Sequence, residues 1–259
     1  MPRFRLDYDH EAEYRRVQPV IRRICRFGLL GKKIEVLGRD NLVVRGPSLL
    51  IGNHIGSYKD VATLFAVMPR PIFFNANAQI FTREEFGALV RKHLKRHMGR
   101  IGGILDFLLN PYKFLFVDCI AANIARIGSI PVRLLRGKRE AVDRCMDYMR
   151  RGRAVVSLQG RGRVDRMAPH PYVWPFGRGI AYIAHDLLDR EGLDVPVTPL
   201  AFFGSHVAWP IPFTIRLNVG APMFVRDFLG GGRDASVLRF KAAQEEKVRE
   251  LFMDILRRR

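Results

Sequence analysis

The chain has 259 residues, with 44 Lys+Arg against 25 Asp+Glu, a formal net charge of +19 and a sequence pI near 10.7. At 48% hydrophobic and 27% charged, it can bury a sizeable core, which excludes a disordered basic tail or a low-complexity segment. No shift of composition marks a linker, so the length reads as one domain.

The basic first stretch, residues 14–30, places Val17, Val20, Ile21 and Ile24 at helical spacing. Arg15, Arg16, Arg22, Arg23 and Arg26 take much of the remaining circumference. This pattern suits an amphipathic helix on an anionic membrane face, or a first helix packed on the core with its arginines in water. Pro19 has to lie in its first turn or bend it. Residues 1–30 are therefore set apart as a basic helical segment, and 31–259 as an α/β domain.

Residues 33–37 alternate as a strand, 38–41 and 45–47 are turns, and 48–52 form a short apolar strand of the kind buried on both faces. That strand runs into Asn53-His54-Ile55-Gly56-Ser57-Tyr58-Lys59-Asp60, after which 61–68 reads as a helix stopped by Pro69. Further along come a strand at 72–74, a helical middle at 83–126, a strand at 129–134 and a helix at 139–151. Residues 154–158 form another buried strand leading into the loop Gln159-Gly160-Arg161-Gly162-Arg163. A helix at 179–188, strands at 195–203 and 213–219, and a long terminal helix at 235–256 complete the pattern. Such alternation predicts an α/β fold with a mixed, mostly parallel sheet flanked by helices, and ligands in such folds bind at the carboxyl ends of strands. His54 and Gln159 both fall there.

Cys25, Cys119 and Cys145 are widely spaced with no Cys-x-x-Cys, which argues against a disulfide framework or a zinc knuckle and suits a reducing compartment. The charged start (Arg3, Arg5, Asp7, Asp9) is not read as a secretory signal. Residues 195–215 are uncharged and long enough to span a bilayer, but Pro196, Pro199, Pro210 and Pro212 break the pairing that a lipid-exposed helix needs. The expectation is a cytoplasmic protein, peripheral on the membrane rather than integral. The positive field attracts anionic partners. Zinc-finger spacing, RNP-type strands and basic-region heptads are all missing, so nucleic acid is set aside.

A His after a buried strand with an Asp shortly downstream offers a general base and the carboxylate that orients it. A His general base can deprotonate an alcohol that attacks a thioester directly, with no covalent intermediate on the enzyme. Other histidines carry less. His93 and His97 share a helix face among basic neighbours only, which does not suit a metal, and His170 reads as a structural residue of a rigid loop. Trp174, Phe176, Phe202 and Trp209 could line an apolar channel or simply be core.

The order of motifs resembles the glycerolipid acyltransferases that act on glycerol-3-phosphate and lysophosphatidate. Asn53-His54 follows residues 36–42, Gly46-Pro47 and the apolar strand as the first block does. Residues 127–133 (Ile-Gly-Ser-Ile-Pro-Val-Arg) resemble the second block, and 155–161 (Val-Val-Ser-Leu-Gln-Gly-Arg) the Phe-Pro-Glu-Gly block. Residues 175–179, 197–200 and 219–222 resemble the later landmarks, so the likeness covers about residues 15 to 255. Three positions depart from the family pattern. Five residues, not four, separate His54 from Asp60, and Lys59 stands where the Asp is usual, where it would repel an imidazolium. In the second block the expected Arg falls on Leu134, with Arg133 one position early and Arg136 two late. Gln159 replaces the Glu, and Arg161 and Arg163 flank the expected Arg.

Residues i and i+5 of a regular helix lie about 140° apart. Asp60 can therefore meet His54 only through a loop or a bulge.

The resemblance implies a fatty acyl transfer from acyl-CoA or acyl carrier protein to a hydroxyl of lysophosphatidate or a related lyso-lipid at an anionic membrane surface. It implies no metal and no bound cofactor. His54 would be the base and Asp60 its orienter. Arg133 or Arg136, with Arg161 or Arg163, would bind a phosphate bidentately, with the backbone amides from Gly160 to Gly162 also facing the anion. Gln159 keeps hydrogen bonding without charge, and Asn53 braces the loop through its side chain. Two other readings stay open: a lipid- or acyl-carrier-binding protein that has lost the chemistry, and an acyltransferase whose acceptor is not a glycerophospholipid.

Overall fold

The computed structural model describes residues 10–92, 110–132, 138–167, 170–208 and 211–258. In chain order the elements are α1 (His10–Gly28), β1 (Lys32–Leu37), β2 (Ser48–His54), α2 (Tyr58–Val67), β3 (Ile72–Asn77), α3 (residues 83–92) and α4 (Asn110–Ile124). They continue with β4 (Ile130–Val132), α5 (Lys138–Arg150), β5 (Ala154–Gly160), α6 (Gly179–Glu191), β6 (Val197–Phe203), β7 (Phe213–Val219) and α7 (Arg233–Arg257). The α/β class, the mostly parallel pairing and the N-terminal helix expected from the sequence are all present.

Packing groups the chain into two units: Met1–Gln18 with Phe73–Ala141, and Pro19–Ile72 with Val142–Arg259. In the first unit β3 and β4 pair in parallel, Asn75 opposite Ile130 and Asn77 opposite Val132, and Arg83 bridges to Asp118 at 2.8 Å.

In the second unit the strand order is β1-β7-β6-β2-β5. β2 runs parallel to β5 and β6, β1 parallel to β7, and β6 antiparallel to β7. One edge of this sheet therefore gathers the carboxyl ends of β2, β5 and β6 together with the first residues of β1 and β7. The central strands are apolar because both faces are covered. Every residue of β6 is buried, as are six of the seven in β2. The uncharged stretch that includes Pro196 and Pro199 thus supplies β6 and the start of β7.

Helices cover both faces. On α7, Val237, Phe240, Val248, Phe252 and Ile255 recur at helical spacing and are buried, and the helix packs on β6 and β7. Each such aromatic contributes roughly 2–3 kcal/mol of transfer free energy. On the other face Leu29, Ala62 and Ile215 cluster, with Cys25 and Ile34 against them. None of Cys25, Cys119 and Cys145 is bridged.

Several boundaries differ from the sequence expectation. β2 extends through His54 and α2 begins at Tyr58, so the expected loop is only three residues long. Of the helical middle, the described residues show α3 and α4; residues 93–109, with His93 and His97, lie outside the described residues. Pro19 lies inside α1 rather than in its first turn. The apolar stripe of α1 is mostly turned inward, with Val17 buried and Ile21 and Ile24 half-buried, while Val20 and the five arginines are exposed.

Candidate active site

His54 is the last residue of β2, in register with Gly160 of β5, and its ring is about one quarter exposed. Asp60 lies in the first turn of α2 and is fully buried. Its Oδ2 accepts from the Ile55 and Gly56 amides at 3.0 and 2.8 Å and sits 2.8 Å from His54 Nδ1. A carboxylate cannot donate, so Nδ1 carries a proton, and Nε2 is the ring nitrogen left to act as acceptor in the neutral imidazole. The fifth intervening residue is absorbed by Ser57, whose φ of 54° and ψ of −128° make it the one non-glycine residue with positive φ among the described residues. That turn swings the chain from strand into helix and aims Asp60 back at the imidazole.

Gly162 closes the other side of the ring. Its amide donates to the His54 carbonyl at 3.1 Å, and a Cβ at this position would lie 3.3 Å from His54 Nε2 and 3.2 Å from Ser57 Cα. With φ at +69°, glycine suits both the backbone and the space in front of Nε2. The Gly162 N–H is therefore committed to His54 and does not face an anion.

Gly56 is as tightly enclosed. A Cβ there would meet Ser205 Cβ at 2.3 Å, and Ser205 Oγ and Asp60 Oδ1 within 3 Å. Ser205 Oγ and Asp60 Oδ1 are both buried without a hydrogen-bond partner among the described residues. The two unpartnered atoms converge on the same glycine, directly behind the His54–Asp60 pair.

Asn53 is fully buried and donates to the carbonyls of Tyr172 and Phe202, both at 3.0 Å, while its Oδ1 accepts from the Phe202 amide at 2.7 Å. It thus ties β2 to β6 and to the loop before α6. Gln159 does related work: its Oε1 accepts from Gly177 N–H at 3.1 Å and its Nε2 donates to Ser157 Oγ at 3.0 Å, so both ends of the amide have protein partners. Arg161 is exposed and stacks its guanidinium 4.7 Å from the Trp174 ring centroid, which leaves the donor edge open. Arg163 is half-buried, and among the described residues neither arginine has a carboxylate partner. Arg133 and Arg136 lie outside the described residues.

The aromatic residues divide. Phe176 and Phe202 are core, Trp209 lies outside the described residues, and the rings that meet near Asn53 are Tyr172, Phe203, His206 and Phe252. His170 accepts from Val173 N–H at 2.9 Å and packs edge-on against Phe252, holding its loop as a structural His would. Burial and then Arg249 push its pKa below the ordinary value.

Among the described residues Lys59 pairs with no carboxylate, although most of its side chain is covered. It is 7% exposed, with its ammonium 5.4 Å from the Tyr58 ring centroid. Burial, and next the nearby Lys32, hold its pKa below that of an ordinary lysine, with Asp60 partly opposing. Sequence reasoning missed Lys32, Gly56 and Ser205. Ser205 follows the carboxyl end of β6 and was open to the strand-end rule, whereas no local pattern marks Lys32. A surface pocket of about 400 Å³ lined by Arg39, Asp40, Leu42, Val44, Val67 and Pro69 lies where β1 and α2 end, away from His54.

No family model matches the sequence, and no curated protein matches it. Among solved structures, the crystal structure of the 1-acyl-sn-glycerophosphate (LPA) acyltransferase PlsC from Thermotoga maritima is similar in fold, with a TM-score of 0.56 at 17% sequence identity. The alignment covers 95% of this chain and 83% of that one.

Proposed function

We propose that this chain is an acyltransferase moving a fatty acyl chain from an acyl thioester to a hydroxyl of lysophosphatidate or a related lyso-lipid. The observation that carries the reading is the His54–Asp60 pair at the strand ends of a fold shared with an LPA acyltransferase. His54 Nε2 takes the proton of the acceptor hydroxyl as its oxygen attacks the thioester carbonyl. The C–O bond forms, the C–S bond breaks, and the leaving sulfur recovers the proton from the imidazolium, which Asp60 stabilises. The thiol leaves readily, so this chemistry calls for no metal or bound cofactor.

Acyl-CoA or acyl carrier protein serves as donor, and the acidic carrier complements a surface of net charge +19. Arg161 and Arg163 receive a phosphate beside the β5 end of the site. Among the described residues no helix is long and apolar enough to cross a membrane. Exposed Val20, Phe27 and Leu30 beside Arg22, Arg23 and Arg26 support peripheral contact with an anionic, cytoplasmic membrane face.

The test is acyl transfer by the purified protein and its His54→Ala variant. Donors are acyl-CoA and acyl carrier protein, offered with lysophosphatidate and other lyso-lipids in anionic vesicles. Turnover that falls by about 10²- to 10⁴-fold in the folded variant is the expected result. Absence of turnover with every pair overturns the reading in favour of a binding protein on the same fold or a different acceptor.

A further inference from the structure

Lys59 stands in the first turn of α2 and Lys32 at the start of β1, two positions that border the sheet edge carrying His54 and are joined by the Gly28–Tyr58 contact and the Leu29, Ala62 and Ile215 cluster. Lys32 is the first residue of β1, opposite Phe213, the first of β7. Its ammonium donates to the carbonyls of Ala208 at 3.0 Å and Ile211 at 2.5 Å, in the connection that follows Ser205. Lys59 lies in the first turn of α2, where the helix dipole is positive and a cation is disfavoured. Among the described residues no carboxylate forms an ion pair with either lysine, and Asp60, the nearest in sequence, already serves His54 and two backbone amides.

A cation on a largely covered side chain with no counter-ion among the described residues is costly, and its ammonium is left to bind an anion from solution. The positive helix end and the second lysine add to that cost. Burial and the Lys32 charge lower the pKa of Lys59, and burial lowers that of Lys32. The surroundings are amphiphilic: Leu30, Tyr58 and Ile211 are each more than half exposed around the two cations. Tyr58 packs against Gly28, and the Gly31 carbonyl accepts from Phe213 N–H, which holds this rim together.

We infer that Lys59 and Lys32 form a phosphate-binding site beside the His54–Asp60 pair, built for the phosphate of an amphiphile whose chain lies along the apolar rim. In the strand order this site lies on the β6 side of β2, and Arg161 and Arg163 lie on the β5 side. The two basic sites therefore flank His54, one for each phosphate-bearing substrate of the transfer. The identity of those substrates rests on the acyltransferase reading, but the phosphate site does not.

The experiment measures thermal unfolding of wild type, Lys59→Met, Lys32→Met and the double variant. The probes are sodium phosphate, submicellar lysophosphatidate, CoA, and sodium chloride matched for ionic strength. Lysine to methionine keeps the apolar stem, so each variant is expected to fold, with the Tm of Lys59→Met at or above that of wild type when no anion is present. Phosphate is expected to raise the Tm of wild type by several degrees beyond the chloride control and that of the double variant by none. Lysophosphatidate is expected to bind the double variant at least tenfold more weakly, with CoA unchanged. Loss of CoA binding instead supports the phosphate site and assigns it to the donor. Equal shifts in wild type and double variant with every probe overturn the site. Absence of acyl transfer alongside an intact phosphate shift removes the enzymatic reading alone.

Discussion

The carboxylates of α7 and the groups at the start of α2, beside the strand end that carries His54, are held in opposite ways. On α7, Glu245 is buried but surrounded: Lys241 and Arg249 reach its two oxygens at 2.7 and 2.5 Å, and the Phe176 amide donates to it at 3.0 Å. Asp254 pairs with Arg258 and accepts from Asn218, and Asp186 on neighbouring α6 holds Arg233. At the start of α2 the reverse holds. Asp60 Oδ1 and Ser205 Oγ are buried without partners, Lys59 is buried without a carboxylate, and Ser57 holds a positive φ. A strained residue such as Ser57 persists only where the surrounding structure over-determines it. The carboxylates of α7 are thus paired, although Gln244 on the same helix is buried without a partner among the described residues, whereas the α2 corner combines unpaired atoms with a positive φ.

The largest expected effect strikes the tight packing of that corner. Gly56→Ala places a methyl 2.3 Å from Ser205 Cβ, and overpacking of this kind costs about 1–3 kcal/mol or more. A drop of several degrees in Tm is expected, and it should be largely reversed in the Gly56→Ala/Ser205→Gly double variant. Failure of the rescue in denaturant melts would mean that Ser205 is not the limiting neighbour.

On the paired side, Glu245→Gln is expected to cost about 1–3 kcal/mol at neutral pH, read by urea unfolding. Burial pushes the Glu245 carboxyl up, but Lys241, the Phe176 amide and Arg249 outweigh it and hold the pKa below the ordinary carboxylate value. A depressed folded-state pKa adds stability above the unfolded carboxylate range, and this is lost as pH falls through the folded value. The gap between wild type and variant should therefore close on acidification. A gap that is flat with pH would show that shape, not charge, matters there.

The smallest effect has the opposite sign. Ser57→Gly relieves the positive φ and is expected to raise stability by about 1 kcal/mol, less the entropy that glycine adds to the unfolded chain, with the His54–Asp60 bond preserved. A loss of stability would place Ser57 among the well-satisfied residues and blur the contrast with α7.

Much of this was legible in the chain. Uncharged runs at β2, β5 and β6 and the periodic stripe of α7 dictated a mostly parallel sheet with helices on it, because burial on two faces leaves only apolar residues. His54 stood out by its place after such a run. Less legible was the work of Gln159, whose amide turns to Gly177 and Ser157 because the loop before α6 passes close to β5.

Sequence alone determined the element types, the sheet's character and the candidacy of His54 with an Asp a few residues on, since these depend on local pattern and on burial. Whether five intervening residues let that pair meet was decided by one backbone turn at Ser57. The company of the pair was decided by topology. Ser205 and Lys32 reach the same edge only because β6 ends and β1 begins there, and no local pattern can encode which distant strand arrives beside which.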